Sequence, residues 1–77
     1  MTGMNTASPN PIAVWVNGDL RQCPTPVTLP NFLTDQGFNS RLIAVEYNGE
    51  ILHRQFWPKT YLKDGDRLEI VTIVGGG

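Results

Sequence analysis

Cysteine, histidine and positive charge are scarce in this 77-residue chain, and each scarcity excludes a class of function. One cysteine cannot form an internal disulfide, and one cysteine with one histidine cannot supply the four N, S or O ligands of a zinc site. A formal net charge of −1 leaves no basic surface for nucleic acid. No apolar run approaches the roughly 20 residues of a transmembrane helix, and the start "MTGMNTASPNP" lacks the features of a secretory signal. We therefore expect one small cytoplasmic domain that binds neither nucleic acid nor membrane.

Few side chains could carry chemistry of their own. Cys23 and His53 would form a nucleophile–base pair only if the fold brought them together, and a lone cysteine is usually a partly buried structural thiol. Asp64 and Asp66 stand in a "KDGD" sequence, where acidic side chains usually bond neighbouring turn amides and not a cation. The "NGE" sequence at 48–50 has the same interpretation. We therefore expect the protein not to be an enzyme and to hold no metal.

Alternating apolar residues predict strands along most of the chain. Asn-Gly pairs at 17–18 and 48–49 predict tight hairpin turns, because both residue types accept positive φ. The predicted strands are 12–16, 19–23, 41–47, 50–54 and 67–74.

One helix is predicted over 28–37. Thr28 suits the N-cap, Pro30 lies in the first turn where its missing N–H is not needed, and Gly37 suits a left-handed C-cap. Residues 55–62 are expected to be irregular, with a single helical turn and with Trp57 and Leu62 facing inward.

This order of elements predicts an α+β fold of the β-grasp type, with a mixed four- to five-stranded sheet and one main helix on one face. The last strand would lie inside the sheet, parallel to the first. We expect a flexible arm over 1–11, the β-grasp domain over 12–74 and a flexible tail over 75–77. The expected core residues are Ile12, Val14, Val16, Leu29, Phe32, Leu33, Ile43, Val45, Leu62, Leu68 and Ile70.

The chain ends in three glycines, directly after the last predicted strand. At an average glycine usage of about 7%, such an ending arises by chance in about 0.03% of chains. A glycine carboxylate can be activated as an acyl-adenylate, and a sulfur nucleophile can then replace AMP to leave a thiocarboxylate. Glycines suit this chemistry because a chain without Cβ atoms can enter a narrow channel. The ending therefore favours a carrier whose terminus is modified by partner enzymes.

Several stretches together resemble the ThiS family, the sulfur carrier proteins of thiamine biosynthesis. They are "VNGD", "TLPNFL", "IAVEYNGEI", the tryptophan at 57 and "LKDGDRLEIVTIVGGG", and they span residues 12 to 77. The last stretch is the most specific. The resemblance implies a ubiquitin-like β-grasp domain in which Gly77 is the reactive residue and Gly75 and Gly76 tether it.

The resemblance also implies partners. A ThiF-type enzyme would use ATP to adenylate the terminal glycine, a sulfur donor protein would supply the sulfur, and a thiazole synthase of the ThiG type would consume it. The carrier itself is expected to bind no cofactor and to be monomeric when free.

Two departures from the family pattern bear on docking. The family often has Pro-Arg where this chain has His53 and Arg54, and the polar arm before Ile12 is longer than usual. A MoaD-like carrier for molybdopterin synthesis is the first alternative, but such proteins usually carry Pro-Pro-Val where this chain reads "TIVGGG". The other alternative is a β-grasp binding module with an inert tail, or a ubiquitin-like modifier that is conjugated to protein lysines.

A docking face is expected on the side of the sheet opposite the helix. If Leu68 and Ile70 face the helix, Val71 and Ile73 must face away from it, and Trp15 and Ala44 occupy outward positions on the neighbouring strands. An exposed apolar patch of this kind usually marks an interface. We therefore expect the patch to dock on the activating enzyme and on the synthase. The expected docking residues are Trp15, Ala44, Val71 and Ile73.

Overall fold

In the computed structural model, which describes residues 11–73, five strands and one α-helix are joined by short connections. The predicted arm, apart from Pro11, and the predicted glycine tail lie outside these residues. No helix between 11 and 73 is both long and apolar enough to cross a membrane. The elements are β1 (Ile12–Val16), β2 (Asp19–Cys23), α1 (Leu29–Asp35), a first 3-10 helix (Ser40–Leu42), β3 (Ile43–Tyr47), β4 (Glu50–Ile51), a second 3-10 helix (Arg54–Lys59) and β5 (Arg67–Thr72).

The strands form one sheet in the order β2-β1-β5-β3-β4. The pairs β1–β2, β3–β4 and β3–β5 are antiparallel, and β5 runs parallel to β1. The last strand therefore occupies the centre of a mixed sheet that carries one main helix. This arrangement confirms the predicted β-grasp fold.

Both Asn-Gly pairs form the tight turns that the sequence predicts. Asn17 and Asn48 have φ of 50° and 51°, and the glycines that follow them have φ of 87° and 92°. Two successive residues at positive φ match the right-handed twist of the flanking strands.

The α-helix begins and ends on the predicted capping residues. The Thr28 hydroxyl accepts a hydrogen bond from the backbone N–H of Asn31 at 3.4 Å. Gly37 has φ of 88°, and the N–H of Phe38 reaches back to the carbonyl of Leu33 at 2.9 Å. This last bond satisfies a carbonyl that the end of a helix otherwise leaves unpaired.

The predicted core is confirmed with one adjustment. Ten of the eleven expected residues are buried, and the eleventh, Ile12, is partly buried and packs against them. Trp57 also faces inward as predicted, at 5% exposure. Cys23 and Val27 complete the buried set. The core therefore lies between α1, the second 3-10 helix and one face of the sheet.

The strand predicted for 41–47 begins two residues later than expected. Arg41 and Leu42 belong to the first 3-10 helix, because the Asn39 side chain accepts a hydrogen bond from the Arg41 N–H at 3.1 Å and caps that turn. Only the residues from Ile43 onward are extended.

The strand predicted for 50–54 is wrong beyond Ile51. Leu52 still donates a backbone hydrogen bond to Val45, at 2.9 Å, but the chain then leaves the sheet, and Arg54 begins the second 3-10 helix. The strand predicted for 67–74 is observed through Thr72, and its last residue lies outside the described range.

Candidate functional site: the strand that leads to the tail

The central strand β5 leads directly to the glycine tail. Ile73, the last described residue, donates a 2.7 Å backbone hydrogen bond to Leu42, so β5 stays paired with the β3 side to its end. Gly77 lies four residues further on, within about 14 Å of Ile73 even when fully extended. Any active site that acts on the Gly77 carboxylate must therefore lie close to this end of the sheet. The predicted roles of Gly75, Gly76 and Gly77 fall outside the described residues and stay predictions.

Asn17 anchors one side of β5 through its side chain. Its backbone N–H donates to the Leu68 carbonyl at 2.9 Å. Its side-chain oxygen then accepts the N–H of Ile70 at 2.7 Å, and its side-chain nitrogen donates to the Ile70 carbonyl at 3.1 Å. Because the backbone turns away at φ of 50°, the side-chain amide takes the place of the next peptide group in the parallel ladder.

Asn48 anchors the opposite side of β5 in the same manner. Its backbone N–H donates to the Arg67 carbonyl at 2.8 Å, and its side-chain oxygen accepts the Arg67 N–H at 2.8 Å. Its side-chain nitrogen donates to Asp66 at 3.2 Å. The sequence predicts both asparagines only as turn residues. The choice of asparagine over aspartate, which has no amide donor, was the available signal for this second role.

Asp66 closes a polar cluster at the start of β5. Its side chain is buried at 7% exposure and accepts hydrogen bonds from the Tyr47 hydroxyl at 2.6 Å and from the Lys63 N–H at 2.7 Å. Burial raises the pKa of Tyr47 to about 12, with further contributions from the hydrogen bond to Asp66 and from its charge. The cluster therefore fixes where the strand begins.

The turn interpretation is confirmed for Asp66, which accepts the N–H of Lys63 in the same turn, but the Asp64 side chain bonds a distant strand and not a neighbouring turn amide. The Asp64 carboxylate accepts the N–H of Ala13 at 2.8 Å, so it joins the turn before β5 to β1. Within the described part of the chain, no three histidine, cysteine or acidic side chains are grouped to hold a metal ion. These carboxylates are structural groups.

The fold does not bring Cys23 and His53 together. Cys23 ends β2 at one edge of the sheet, and His53 follows β4 at the other. Cys23 is buried, and its burial, with the charge of Asp35, raises the pKa of the thiol. It is a structural thiol, as expected.

The four expected docking residues do not form one continuous patch. Val71 and Ile73 are 60% and 49% exposed, and Ala44 pairs with Val71 on β3. Trp15 is 41% exposed, but it pairs with Arg67 at the other end of β5. The expectation that Trp15 clusters with Val71 and Ile73 is therefore wrong, because alternation fixes the face of a residue but not the register of a parallel pair. Their docking role remains a prediction.

A shallow groove of about 530 Å³ adjoins the tail end of the sheet, where β4 has ended and β3 continues. Ala44 and Ile73 line one side, and His53, Arg54 and Trp57 line the other. The groove therefore lies between two of the expected docking residues, Ala44 and Ile73, and His53, where the family often has proline.

Arg54 lines this groove and hydrogen-bonds to the neighbouring backbone. Its guanidinium donates to the carbonyls of Ser40 and Ile43, the latter at 2.9 Å, and lies 4.9 Å from the centre of the Trp57 ring. The Trp57 indole donates to the Leu52 carbonyl at 2.8 Å. The guanidinium thus satisfies the Ile43 carbonyl, which a longer β4 would have paired, and also binds the carbonyl of Ser40 in the first 3-10 helix. No periodic pattern or motif in the sequence predicts this role of Arg54.

Comparisons with known proteins agree with this architecture. The ThiS family model matches residues 14–77. The crystal structure of the thiamine biosynthesis protein ThiS from Geobacter metallireducens aligns with a TM-score of 0.73 and 29% identity, over 86% of this chain and 100% of that one. The uncharacterized protein ycf40 of Pyropia yezoensis is 42% identical over 86% of this chain and 93% of its own length.

A thiazole synthase of Paramagnetospirillum magneticum is also similar, at 39% identity over 80% of this chain. The match covers only 19% of that longer protein. Because the family match includes 64 of the 77 residues and the solved ThiS structure shares the whole fold, this chain belongs to the ThiS family.

Proposed function

We propose that this protein is a sulfur carrier of thiamine biosynthesis that works through the carboxylate of Gly77. In this function the domain is recognised by partner enzymes, and the tail presents the atom that they modify. The observation that carries the proposal is the extent of the family match, which continues through residue 77 and so includes the terminal glycines.

The chemistry has two steps at one carbon atom. A Gly77 carboxylate oxygen attacks the α-phosphate of ATP on a ThiF-type enzyme, which releases pyrophosphate and forms an acyl-adenylate. A sulfur nucleophile at the oxidation level of sulfide, delivered by a donor protein, then attacks the carbonyl carbon and displaces AMP. The product is a thiocarboxylate whose sulfur is available for thiazole formation. The carrier contributes only the carboxylate, so it binds no cofactor of its own.

The anchoring of β5 supports this role. The two asparagine side chains and the ladder to β3 hold the strand on both sides, which gives the tail a fixed origin. Because the origin is fixed and only four residues separate Ile73 from Gly77, the reacting carboxylate is confined to a small region near this end of the sheet, which reduces the entropy lost when it enters an active site.

Two thiazole synthases support the choice of pathway. A region similar to this chain makes up 19% of the Paramagnetospirillum magneticum protein and 20% of the Magnetococcus marinus protein. A domain that shares a chain with an enzyme in one organism commonly acts on that enzyme when separate. These relatives and the ThiS structures favour a thiazole synthase as the acceptor over molybdopterin synthase, the acceptor of the MoaD-like alternative.

Intact mass spectrometry tests the proposal. After incubation with a ThiF-type enzyme, ATP and sulfide, the protein should gain the mass difference between one sulfur and one oxygen. Fragmentation should locate the change at Gly77. A chain extended by one alanine after Gly77 should remain folded and unmodified, and sulfur uptake by that variant would contradict the proposal.

A further inference from the structure

The backbone of β5 has one open edge next to the tail. Odd-numbered residues bond toward β3, since the Arg67 carbonyl accepts from Asn48 and the Ile73 N–H donates to Leu42. Leu68 and Ile70 bond the other way, toward β1 and its turn. Backbone groups of successive residues in a strand alternate in direction.

The alternation places the N–H and carbonyl of Thr72 on the side away from β3. On that side β1 ends at Val16, opposite Leu68, and only the Asn17 side chain continues the ladder, as far as Ile70. Among residues 11–73, no strand pairs with β5 beyond that point. Thr72 is exposed, and within the described range its peptide groups have no partner on this side, so they lie at an open edge of the sheet.

We propose that an extended segment of the thiazole synthase pairs with this open edge of β5, at Thr72, when it binds the carrier. This inference rests on the proposed function. Strand addition to a sheet edge supplies main-chain hydrogen bonds and leaves side-chain pockets to set specificity. It requires an edge with free backbone groups, and Thr72 provides one.

The position of the edge favours an enzyme that uses the tail. Thr72 is five residues from Gly77, so an active site that holds the Gly77 carboxylate lies within about 17 Å of the open edge. A partner segment paired at Thr72 would also fix the direction in which the tail leaves the sheet. The exposed side chains of Val71 and Ile73 flank the edge and offer apolar contacts to the same partner.

A second copy of this chain is a weaker occupant. The open edge described here is one residue long beyond the Asn17 bonds, and a stable protein–protein interface buries about 1,200–2,000 Å². An enzyme that also encloses the tail gains the remaining area from contacts away from the edge, whereas a second copy would have to bury it around one pair of backbone groups.

Amide hydrogen exchange, followed by NMR, measures directly whether the backbone N–H groups at this edge are hydrogen-bonded. In the free protein the Thr72 amide should exchange rapidly, while the amide of Ile73, bonded to Leu42, should be protected. Adding the intact thiazole synthase at saturation should slow exchange at Thr72 at least tenfold. Binding of the synthase without protection at Thr72 would overturn this inference and leave the proposed function standing.

Two substitutions separate the backbone from the side chain. Thr72→Pro removes the N–H that faces the open edge and spares the ladder to β3, and proline is tolerated at such edge positions. Its affinity for the synthase should fall about three- to tenfold, the worth of one net hydrogen bond. Thr72→Val keeps the N–H and should bind like the original chain. Equal affinity of both variants, each with an unchanged unfolding midpoint, would contradict strand addition.

Protection of Thr72 that depends on the concentration of the free carrier would assign the edge to self-association. Protection by a ThiF-type enzyme and not by the synthase would place the pairing in the other complex and refute this inference. Failure of the original chain to bind the synthase at all would refute both this inference and the proposed acceptor.

Discussion

The hydroxyl of Tyr47 donates a 2.6 Å hydrogen bond to the buried carboxylate of Asp66, and this bond joins the end of β3 to the start of the strand that leads to the tail. The same carboxylate accepts from the Lys63 N–H and from the Asn48 side chain. A neutral tyrosine is therefore part of a cluster in which a second negative charge would be costly.

Stability should fall as the pH rises above the unfolded pKa of Tyr47. The folded pKa is raised to about 12 from the ordinary value of 10.0, so the contribution is fully present below pH 10 and is lost as the pH approaches 12. At about 1.4 kcal/mol per pKa unit the loss is at most about 3 kcal/mol, and partial exposure reduces it. Urea unfolding from pH 8 to 12 measures it.

Two phenylalanine variants provide the comparison. The stability advantage of the original protein over Tyr47→Phe should shrink between pH 10 and 12. Tyr61, which is 55% exposed, serves as the control, and Tyr61→Phe should follow the pH curve of the original protein. A constant difference between the original protein and Tyr47→Phe across this pH range would show that the hydroxyl does not act in this way.

Replacing the Asn17 side chain should weaken the attachment of β5. Asn17→Gly accepts the positive φ but leaves the Ile70 N–H and carbonyl without their partners, at a cost of about 1–3 kcal/mol. Asn17→Asp retains the acceptor for the Ile70 N–H and loses the donor to its carbonyl, so its unfolding free energy should differ from that of the glycine variant. Equal stability of Asn17→Gly and the original protein would show that the Asn17 side-chain amide does not stabilise β5.

The sequence predicts the fold more fully than it predicts these contacts. Helix caps and Asn-Gly turns depend on local φ preferences, so Thr28, Gly37 and both turns are predictable from neighbouring residues alone. The neighbours of Trp15 depend on the register of two parallel strands separated by most of the chain. The ladder role of Asn17 depends on the same register, so the sequence predicts its turn but not this role, and it predicts the face of Trp15 but not its neighbours.

The end of β4 shows a second limit of prediction from sequence patterns. Alternation continues to Arg54, yet the chain leaves the sheet after Ile51, because the Arg54 guanidinium satisfies the Ile43 carbonyl and packs on Trp57. Here a side-chain hydrogen bond takes the place of a backbone hydrogen bond between strands, and such a replacement leaves no periodic pattern in the sequence. This replacement is visible only in the folded structure.

Core truncation should destabilise this small domain strongly. Leu33 is fully buried and Ile70 is 6% exposed, so Leu33→Ala and Ile70→Ala should each lower the free energy of unfolding by about 2–5 kcal/mol. Leu20, which is 53% exposed, provides the matched control, and Leu20→Ala should cost less than about 1 kcal/mol. Denaturant midpoints for both core variants close to that of Leu20→Ala would mean that the strand faces are assigned incorrectly.

The expected docking residues can be ranked by their distance from the tail. Val71 lies beside the tail end of β5, whereas Trp15 lies at its start, opposite Arg67. If the partner interface lies next to the tail, Val71→Ala should weaken binding to the thiazole synthase more than Leu20→Ala does. Trp15→Ala should cost about 1–2 kcal/mol of binding free energy only if the interface extends along the whole strand.

Calorimetric titration of each folded variant against the synthase measures these costs. A full-strength complex with Val71→Ala, together with a weakened complex with Trp15→Ala, would place the interface at the wrong end of β5 for the tail to be used.

Single-turnover transfer of labelled sulfur tests the central claim most directly. The carrier is first loaded with isotopically labelled sulfide by a ThiF-type enzyme and ATP, purified, and then mixed with thiazole synthase and its remaining substrates. We expect the label to leave Gly77 and to appear in the thiazole product at one sulfur per carrier. Label that remains on the carrier while unlabelled thiazole forms would contradict this expectation.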